Sequence, residues 1–133
     1  MPVGMTLAIH SKMEELNAVQ AFVEQLNNKV RFNEDRLSDV TLALCEVVTN
    51  AIKHGHKEDV NKKVFLQAQL FEHELHIQVD DEGNGFNPAE VANPTNDENI
   101  LKTSGRGIYL IRQLCDDVIY SEKGNRVTLI FQR

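Results

Sequence analysis

The spacing of apolar residues predicts two helices in the first half of the chain. After Glu14 the apolar residues recur every three or four positions, which predicts a helix that ends near Lys29. Ser11 and Glu14 together form an S-x-x-E capping box at its start. The helical pattern resumes at Asp35 within an apolar arc of roughly 140°, and Gly55 supplies the left-handed residue that ends such a helix.

Strand-like alternation of apolar and polar residues surrounds these helices. A short first strand is predicted at residues 5 to 10. Apolar and polar residues also alternate at residues 64 to 70 and 75 to 79, on either side of a turn at Glu72. The second pair of alternating segments therefore predicts a β-hairpin. Residues 87 to 103 contain two prolines and show no clear periodicity, which makes this long loop a candidate lid.

The end of the chain repeats the helix-then-hairpin pattern on a smaller scale. A short helix is predicted through Ile108 to Cys115, followed by strands at residues 118 to 120 and 127 to 131. The order of elements predicts one domain, residues 1 to 133, of the α+β class. We expect a two-layer α/β sandwich, with a mixed, mostly antiparallel sheet and its helices on one face.

Composition and charge narrow the classes of partner. The chain has 133 residues and a net charge of −6, without a cluster of Lys and Arg interleaved with aromatics, so nucleic acid is not an expected partner. It contains no export signal and no stretch near the roughly 20 apolar residues of a membrane span, which favours a cytoplasmic protein. Cys45 and Cys115 fall inside apolar helical patterns and are expected to be inert buried thiols.

A polar stripe interrupts the second predicted helix. Glu46, Asn50 and His54 recur at every fourth position, and Lys53 falls on the same face, opposite the apolar arc. A solvated helix face would have the same pattern, so the stripe has two interpretations: a solvent-exposed surface or a functional one. The segments that follow decide between them.

An acidic residue and two glycines follow the predicted hairpin. Alternation from Leu75 carries Asp81 to the apolar side of its strand, where an unpaired carboxylate is costly. Gly83 and Gly85 then permit unusual backbone angles or close approach by another molecule. The alternative is that "DEGNG" is simply a turn capped by Asp81.

A second glycine pair, Gly105 and Gly107, stands at the start of the last predicted helix. Free backbone N–H groups and the positive end of the helix dipole hold phosphate groups at such a position. A lone G-x-G motif is weak evidence of a phosphate site, because glycine pairs also occur at the ends of loops. The chain has no P-loop, no dinucleotide fingerprint and no protein-kinase catalytic loop, so a bound nucleotide would be held in another way.

These three segments resemble, in order and spacing, the ATP-binding domain shared by gyrase, histidine kinases and MutL, the GHKL superfamily with its Bergerat-type fold. Glu46, Asn50 and Ala51 match the E-x-x-x-N-A box of that superfamily. The two glycine boxes match at Asp81, Gly83 and Gly85, and at Gly105 and Gly107. Within the superfamily, "NAIKHG" and "GRGIYLIRQLCDDV" are similar to the anti-sigma-factor serine kinases of bacteria.

The resemblance implies ATP and Mg²⁺ as cofactors and assigns roles to the matching residues. Asn50 would hold the magnesium ion, Glu46 would act as the catalytic base, and Asp81 would accept a hydrogen bond from the adenine amino group. The remaining candidates would meet the phosphates: Lys53, Gly83, Gly85, Gly105, Arg106 and Gly107. For Arg106, pairing with Asp97 or Glu98 and a solvent position stay open.

The implied function is phosphorylation of a small anti-anti-sigma partner on Ser or Thr, with alternate sequestration of a sigma factor. A homodimer is implied by the family alone. The alternative is a nucleotide-binding regulatory protein that captures its partner without catalysis, and a stand-alone ATPase is a third hypothesis. A histidine-kinase sensor is not expected, because no helical phosphoacceptor domain is present in the sequence.

Overall fold

The computed structural model describes residues 3–55, 61–82, 103–121 and 125–133, and three helices pack on one face of a five-stranded sheet within this part of the chain. The helices are α1 (Leu16–Val30), α2 (Glu34–Asn50) and α3 (Thr103–Leu114). The strands are β1 (Val3–His10), β2 (Lys63–Leu70), β3 (Glu74–Asp81), β4 (Asp117–Tyr120) and β5 (Arg126–Gln132).

The strands lie in the order β1-β2-β3-β5-β4, and each described neighbouring pair is antiparallel. The predicted two-layer, mostly antiparallel sandwich is thereby confirmed, and no parallel pairing occurs among the described strands. The hairpin of β2 and β3 is also confirmed, with Leu70 paired to Leu75. Both the first strand and the last helix extend further toward the amino terminus than the sequence predicted, to Val3 and Thr103.

The core lies between the sheet and the helix layer. Alternate residues of β2 and β3 are buried, and they meet the apolar faces of α1 and α2. The largest side chains that are fully buried include Leu44, Ile77, Ile111, Leu129 and Phe131. The opposite face of the sheet is mostly polar, with one row across it formed by Thr6, Gln67, Gln78, Thr128 and Ile119.

The start of α1 differs from the predicted capping box. A 3-10 turn, Met13–Glu15, precedes the helix and has no side-chain cap. Ser11 is instead completely buried, its N–H donates to the carbonyl of Lys62 at 2.9 Å, and its hydroxyl has no hydrogen-bond partner in the described part of the chain. The capping-box prediction is wrong because pairing with β2 continues past His10 and draws Ser11 into the interior.

Local hydrogen bonds fix both ends of the loop between α1 and α2. Arg31 adopts a left-handed conformation (φ 59°) and its N–H donates to the carbonyl of Asn27, which closes α1. Asn33 caps α2, because its side chain accepts a hydrogen bond from the N–H of Arg36 at 2.8 Å. The other end of α2 passes into a π-helical segment, Ala51–Gly55, rather than stopping directly at a C-cap.

Candidate active site

The predicted polar stripe lies on the second half of α2. Glu46 and Asn50 are both half-buried, one helical turn apart, while Lys53 in the π-helical segment is exposed. No hydrogen bond or ion pair joins the Glu46 carboxylate or the Asn50 amide to another residue in the described ranges. Within the described ranges, both side chains are half-buried polar groups without such a contact.

Asp81 is the last residue of β3 and is half-buried. It follows Leu75, Ile77 and Val79 on the side of the strand that faces the helices, as the alternation predicted. Its N–H donates to the carbonyl of Asn125 at 2.9 Å, which fixes the end of the strand. The neighbouring Asp80 projects to the other face and pairs with Arg126 at 2.5 Å.

The second glycine pair lies inside α3 rather than ahead of it. In a helix that begins at Thr103, Gly105 is the third residue, so its N–H has no intrahelical partner. The N–H of Gly107, two residues later, faces the carbonyl of Thr103. This corrects the expectation that both glycines offer free N–H groups: at Gly107 the absence of a side chain is what would let a phosphate approach.

Helices α2 and α3 pack against each other and run antiparallel. Arg36, in the first turn of α2, donates from Nη1 to the carbonyl of Leu114, the last residue of α3, at 3.0 Å. Gly105 lies nine residues before Leu114, and Glu46 lies ten residues after Arg36. Because both helices rise by about 1.5 Å per residue away from this contact, Gly105 is expected toward the same end of the helix pair as Glu46.

The sheet places Asp81 at the same end of the molecule. Arg36 pairs with Asp116, and Asp116 accepts a hydrogen bond from the N–H of Gln132 at 2.7 Å. Arg36 therefore lies near the end of β5. Since β3 is antiparallel to β5, Asp81 lies at the opposite end of the sheet. The chain that leaves α2 also returns to that end, where Val64 of β2 pairs with Asp81.

We call the group of Arg36, Leu114 and Asp116 the anchored end, and the group of Glu46, Asn50 and Asp81 the site end. Gly83, Gly85 and residues 87 to 102 of the candidate lid lie outside the described residues, and the side chain of Arg106 is not described either.

A groove of about 530 Å³ opens at the site end, but on the other side of the sheet. Asp81 contributes to its wall, and the other lining residues belong mostly to the outer face and its edge: Phe65, Asp80, Glu82, Ser121, Asn125 and Arg126. Neither Glu46 nor Asn50 lines it. We therefore do not assign the groove to the nucleotide, because it contains neither the candidate base nor the candidate metal ligand.

The two thiols are free, and they are half-buried rather than fully buried as the sequence predicted. Burial raises the pKa of Cys45, and the nearby Glu46 carboxylate raises it further. Burial likewise raises the pKa of Cys115 to about 12, although Arg36 opposes the change. Neither sulfur is a thiolate at neutral pH, so nucleophilic chemistry at cysteine is not a feature of this site.

The donor set at the site end suits magnesium bound through a nucleotide. Magnesium commonly takes one or two protein oxygens and completes its shell with phosphate and water. The Asn50 amide oxygen fits that description, and the described ranges contain no cluster of three or more His, Cys, Asp or Glu that would enclose a metal without phosphates.

Comparison with known proteins assigns the chain to a family. The model of the histidine kinase-like ATPase domain matches residues 9–131. The chain therefore belongs to the histidine kinase-like ATPase family, and the resemblance found in its motifs is confirmed.

Individual proteins are also similar to this chain over most of its length. The chain is 33% identical to an anti-sigma F factor of Clostridium perfringens, over 87% of this chain and 82% of the relative. It is 25% identical to the serine-protein kinase RsbW of Listeria innocua, over 94% of this chain and 84% of the relative. The solved structure of the RsbU and RsbW domains of a Mycobacterium tuberculosis protein matches its fold with a TM-score of 0.67 at 15% identity, covering 98% of this chain and 32% of that one.

Sequence reasoning did not single out Arg36. Its contacts at the anchored end join residues 78 and 80 positions apart, and no local pattern signals such a pair. Leu42 was also overlooked, although a signal was present: it is a large apolar residue within the polar stripe of α2, and it is 44% exposed. The described residues contain no helix long and apolar enough to cross a membrane.

Proposed function

We propose that this protein is an ATP-dependent serine/threonine protein kinase of the anti-sigma-factor type. Membership of the histidine kinase-like ATPase family supports the use of ATP, and relatives named as a serine-protein kinase and an anti-sigma factor match most of the chain. The observation that carries the proposal is the half-buried Glu46 and Asn50, one turn apart on α2, which packs against the helix that contains Gly105 and Gly107.

The roles of the site residues follow from their chemistry and position. Asn50 would hold Mg²⁺ against the triphosphate, and the ion would neutralise charge on the phosphate oxygens. Asp81 would accept a hydrogen bond from the adenine amino group. Phosphates would lie against the remaining candidates: Lys53, Gly83, Gly85, Gly105, Arg106 and Gly107.

Glu46 would act as the general base. The hydroxyl oxygen of a Ser or Thr on the partner attacks the γ-phosphorus, and its proton passes to the Glu46 carboxylate. The bond between the γ-phosphorus and the β–γ bridging oxygen breaks, so ADP leaves with that oxygen and the partner keeps the phosphoryl group. The position of Glu46 on a packed helix would hold the base fixed during the transfer.

The partners follow from the same class of function. The phosphoacceptor would be a small anti-anti-sigma protein, and the same kinase would hold a sigma factor when that partner is phosphorylated. A homodimer of this chain belongs to the proposal as well. The negative net charge of −6 supports protein partners over nucleic acid.

The direct test is transfer of label from [γ-³²P]ATP to a purified anti-anti-sigma protein of the same organism. We expect label on the partner only when Mg²⁺ is present, and none when the partner's acceptor residue is replaced by Ala. Partner binding without labelling would contradict the kinase and favour a regulatory protein that acts by capture. Phosphate release at the same rate with and without the partner would indicate an ATPase.

A further inference from the structure

Two large apolar side chains are exposed on the solvent face of the helix layer. Leu42 of α2 is 44% exposed and Tyr109 of α3 is 41% exposed. The other exposed large apolar residues in the described ranges belong to strands of the sheet or their ends: Phe65, Phe71 and Ile119. A single exposed Leu needs no explanation, so what matters is where these two lie relative to each other and to Glu46.

The antiparallel packing of α2 and α3 brings Leu42 and Tyr109 side by side. Tyr109 lies five residues before Leu114, and Leu42 lies six residues after Arg36, the residue that contacts Leu114. They therefore lie at similar distances along the two helices from the Arg36–Leu114 contact, about 9 Å for Leu42 and about 7.5 Å for Tyr109. Tyr109 also lies about 160° around α3 from the buried Ile111, so it projects away from the core.

Leu42 is also adjacent to the proposed catalytic base. It precedes Glu46 by four residues, which puts the two side chains on one face of α2, about 40° apart and with their Cβ atoms about 5–6 Å apart. A general base works within about 2.6–3.2 Å of the hydroxyl that it deprotonates. A folded protein that brings a hydroxyl to Glu46 would therefore come close to Leu42 as well.

We propose that Leu42 and Tyr109 form a docking surface on which the phosphoacceptor protein places an apolar side chain beside its acceptor Ser or Thr. This inference rests on the proposed kinase function. Protein interfaces have an apolar centre with a polar rim, and Tyr is enriched among the residues that dominate binding. Burial of these two side chains would stabilise the complex while the polar stripe of α2 supplies the reacting group.

The test compares Leu42→Ser and Tyr109→Ser with a matched control, Ile119→Ser. Ile119 is 53% exposed but lies on the outer face of the sheet, away from Glu46. With an anti-anti-sigma protein of the same organism as substrate, we expect the KM for that protein to rise about tenfold in each helix-layer variant. The kcat at saturating partner, the Kd for ATP and the KM of the Ile119→Ser variant should stay within about twofold of wild type.

Several outcomes would overturn the docking surface. Both helix-layer variants could keep a wild-type KM, or the control could raise the KM as much as they do. Conversion of an oligomer to a monomer by Leu42→Ser, measured by sedimentation, would show instead that a second copy of this chain covers the surface. Each of these results is readable because all three substituted side chains are exposed and lie outside the core.

Failure of the kinase itself would look different. If the wild-type protein transfers no phosphate, titration of the same partner by calorimetry still measures docking. Weaker binding in Leu42→Ser and Tyr109→Ser but not in Ile119→Ser would support the surface while contradicting the kinase. Equal binding by all of the variants would contradict the docking surface.

Discussion

The two ends of the α2–α3 helix pair differ in how their polar groups are satisfied. At the anchored end, the Arg36 guanidinium donates to the Leu114 carbonyl, pairs with Asp116 and lies 5.2 Å from the centre of the Phe131 ring. At the site end, no described side chain or backbone group hydrogen-bonds or ion-pairs with the side chain of Glu46 or Asn50. Among the described residues, partly buried polar groups are thus paired at one end and not at the other.

This difference suggests a division of labour along the helices. The anchored end joins α2, α3 and β5 through contacts between residues 78 and 80 positions apart. It fixes the end of α3 against the start of α2. Substitutions at the site end should therefore change activity more than stability, and substitutions at the anchored end should do the reverse.

The largest expected effect is at Glu46. Glu46→Gln keeps the shape of the side chain but removes the base, so kcat for phosphoryl transfer should fall by about 10²–10⁴-fold. The Kd for ATP and the free energy of unfolding should change little. Glu24→Gln, on the exposed face of α1, is the matched control and should keep wild-type kcat. A kcat loss below about threefold in Glu46→Gln would remove Glu46 from the chemistry.

The next effect in size is at Asp81. Asp81→Asn replaces a carboxylate acceptor with an amide, and we expect the Kd for ATP to rise about 10- to 100-fold. Calorimetric titration with ATP and with GTP measures this change, because only adenine presents the amino group at that position. If both nucleotides bind the variant as they bind the wild type, Asp81 does not contact the base.

A third prediction compares two Arg–Asp pairs. Arg36→Met removes several interactions of a partly buried guanidinium, so the free energy of unfolding in urea should fall by about 1–2 kcal/mol. Arg126→Met breaks the more exposed pair with Asp80 and should cost about 0–1 kcal/mol, less in high salt. Equal losses in the two variants would mean that the anchored end contributes no more than an ordinary surface ion pair.

The smallest expected effect concerns alkaline pH at the anchored end. The pKa of Cys115 is raised to about 12 in the folded protein, from 9.0. The folded state therefore holds the thiol proton after the unfolded state has lost it, so stability is fully present below pH 9.0 and falls as pH rises from there toward about 12. At pH 10 the loss should be about 1 kcal/mol relative to pH 8.

Urea unfolding at several pH values measures this loss. The Cys115→Ala variant should lose less stability between pH 8 and pH 10 than the wild type does, whatever its stability at neutral pH. Tyr120, whose pKa is raised from 10.0 to about 12, should likewise lower the stability of the folded protein as pH rises above 10.0. A wild-type stability that stays constant up to pH 11 would contradict the burial of the thiol.

Much of the fold followed from local patterns in the sequence. Alternation at residues 64 to 70 and 75 to 79 predicted β2 and β3, and the side of Asp81 followed from the pairing of side chains along β3. Such predictions succeed because a strand or an amphipathic helix must bury one face, and the spacing of its apolar residues records which face. The S-x-x-E motif at Ser11 misled because pairing of β1 with β2 overrides a weak local cap.

The sequence by itself determined the elements, the order of the motifs and the family to which the chain belongs, because each depends on residue types at short spacing. Only the tertiary structure decided that Arg36 closes the far end of the helix pair and that Leu42 and Tyr109 are both exposed on helices that pack together. Those relations join residues that are distant in sequence. Their cause is the antiparallel packing of two helices on one sheet, which no local spacing specifies.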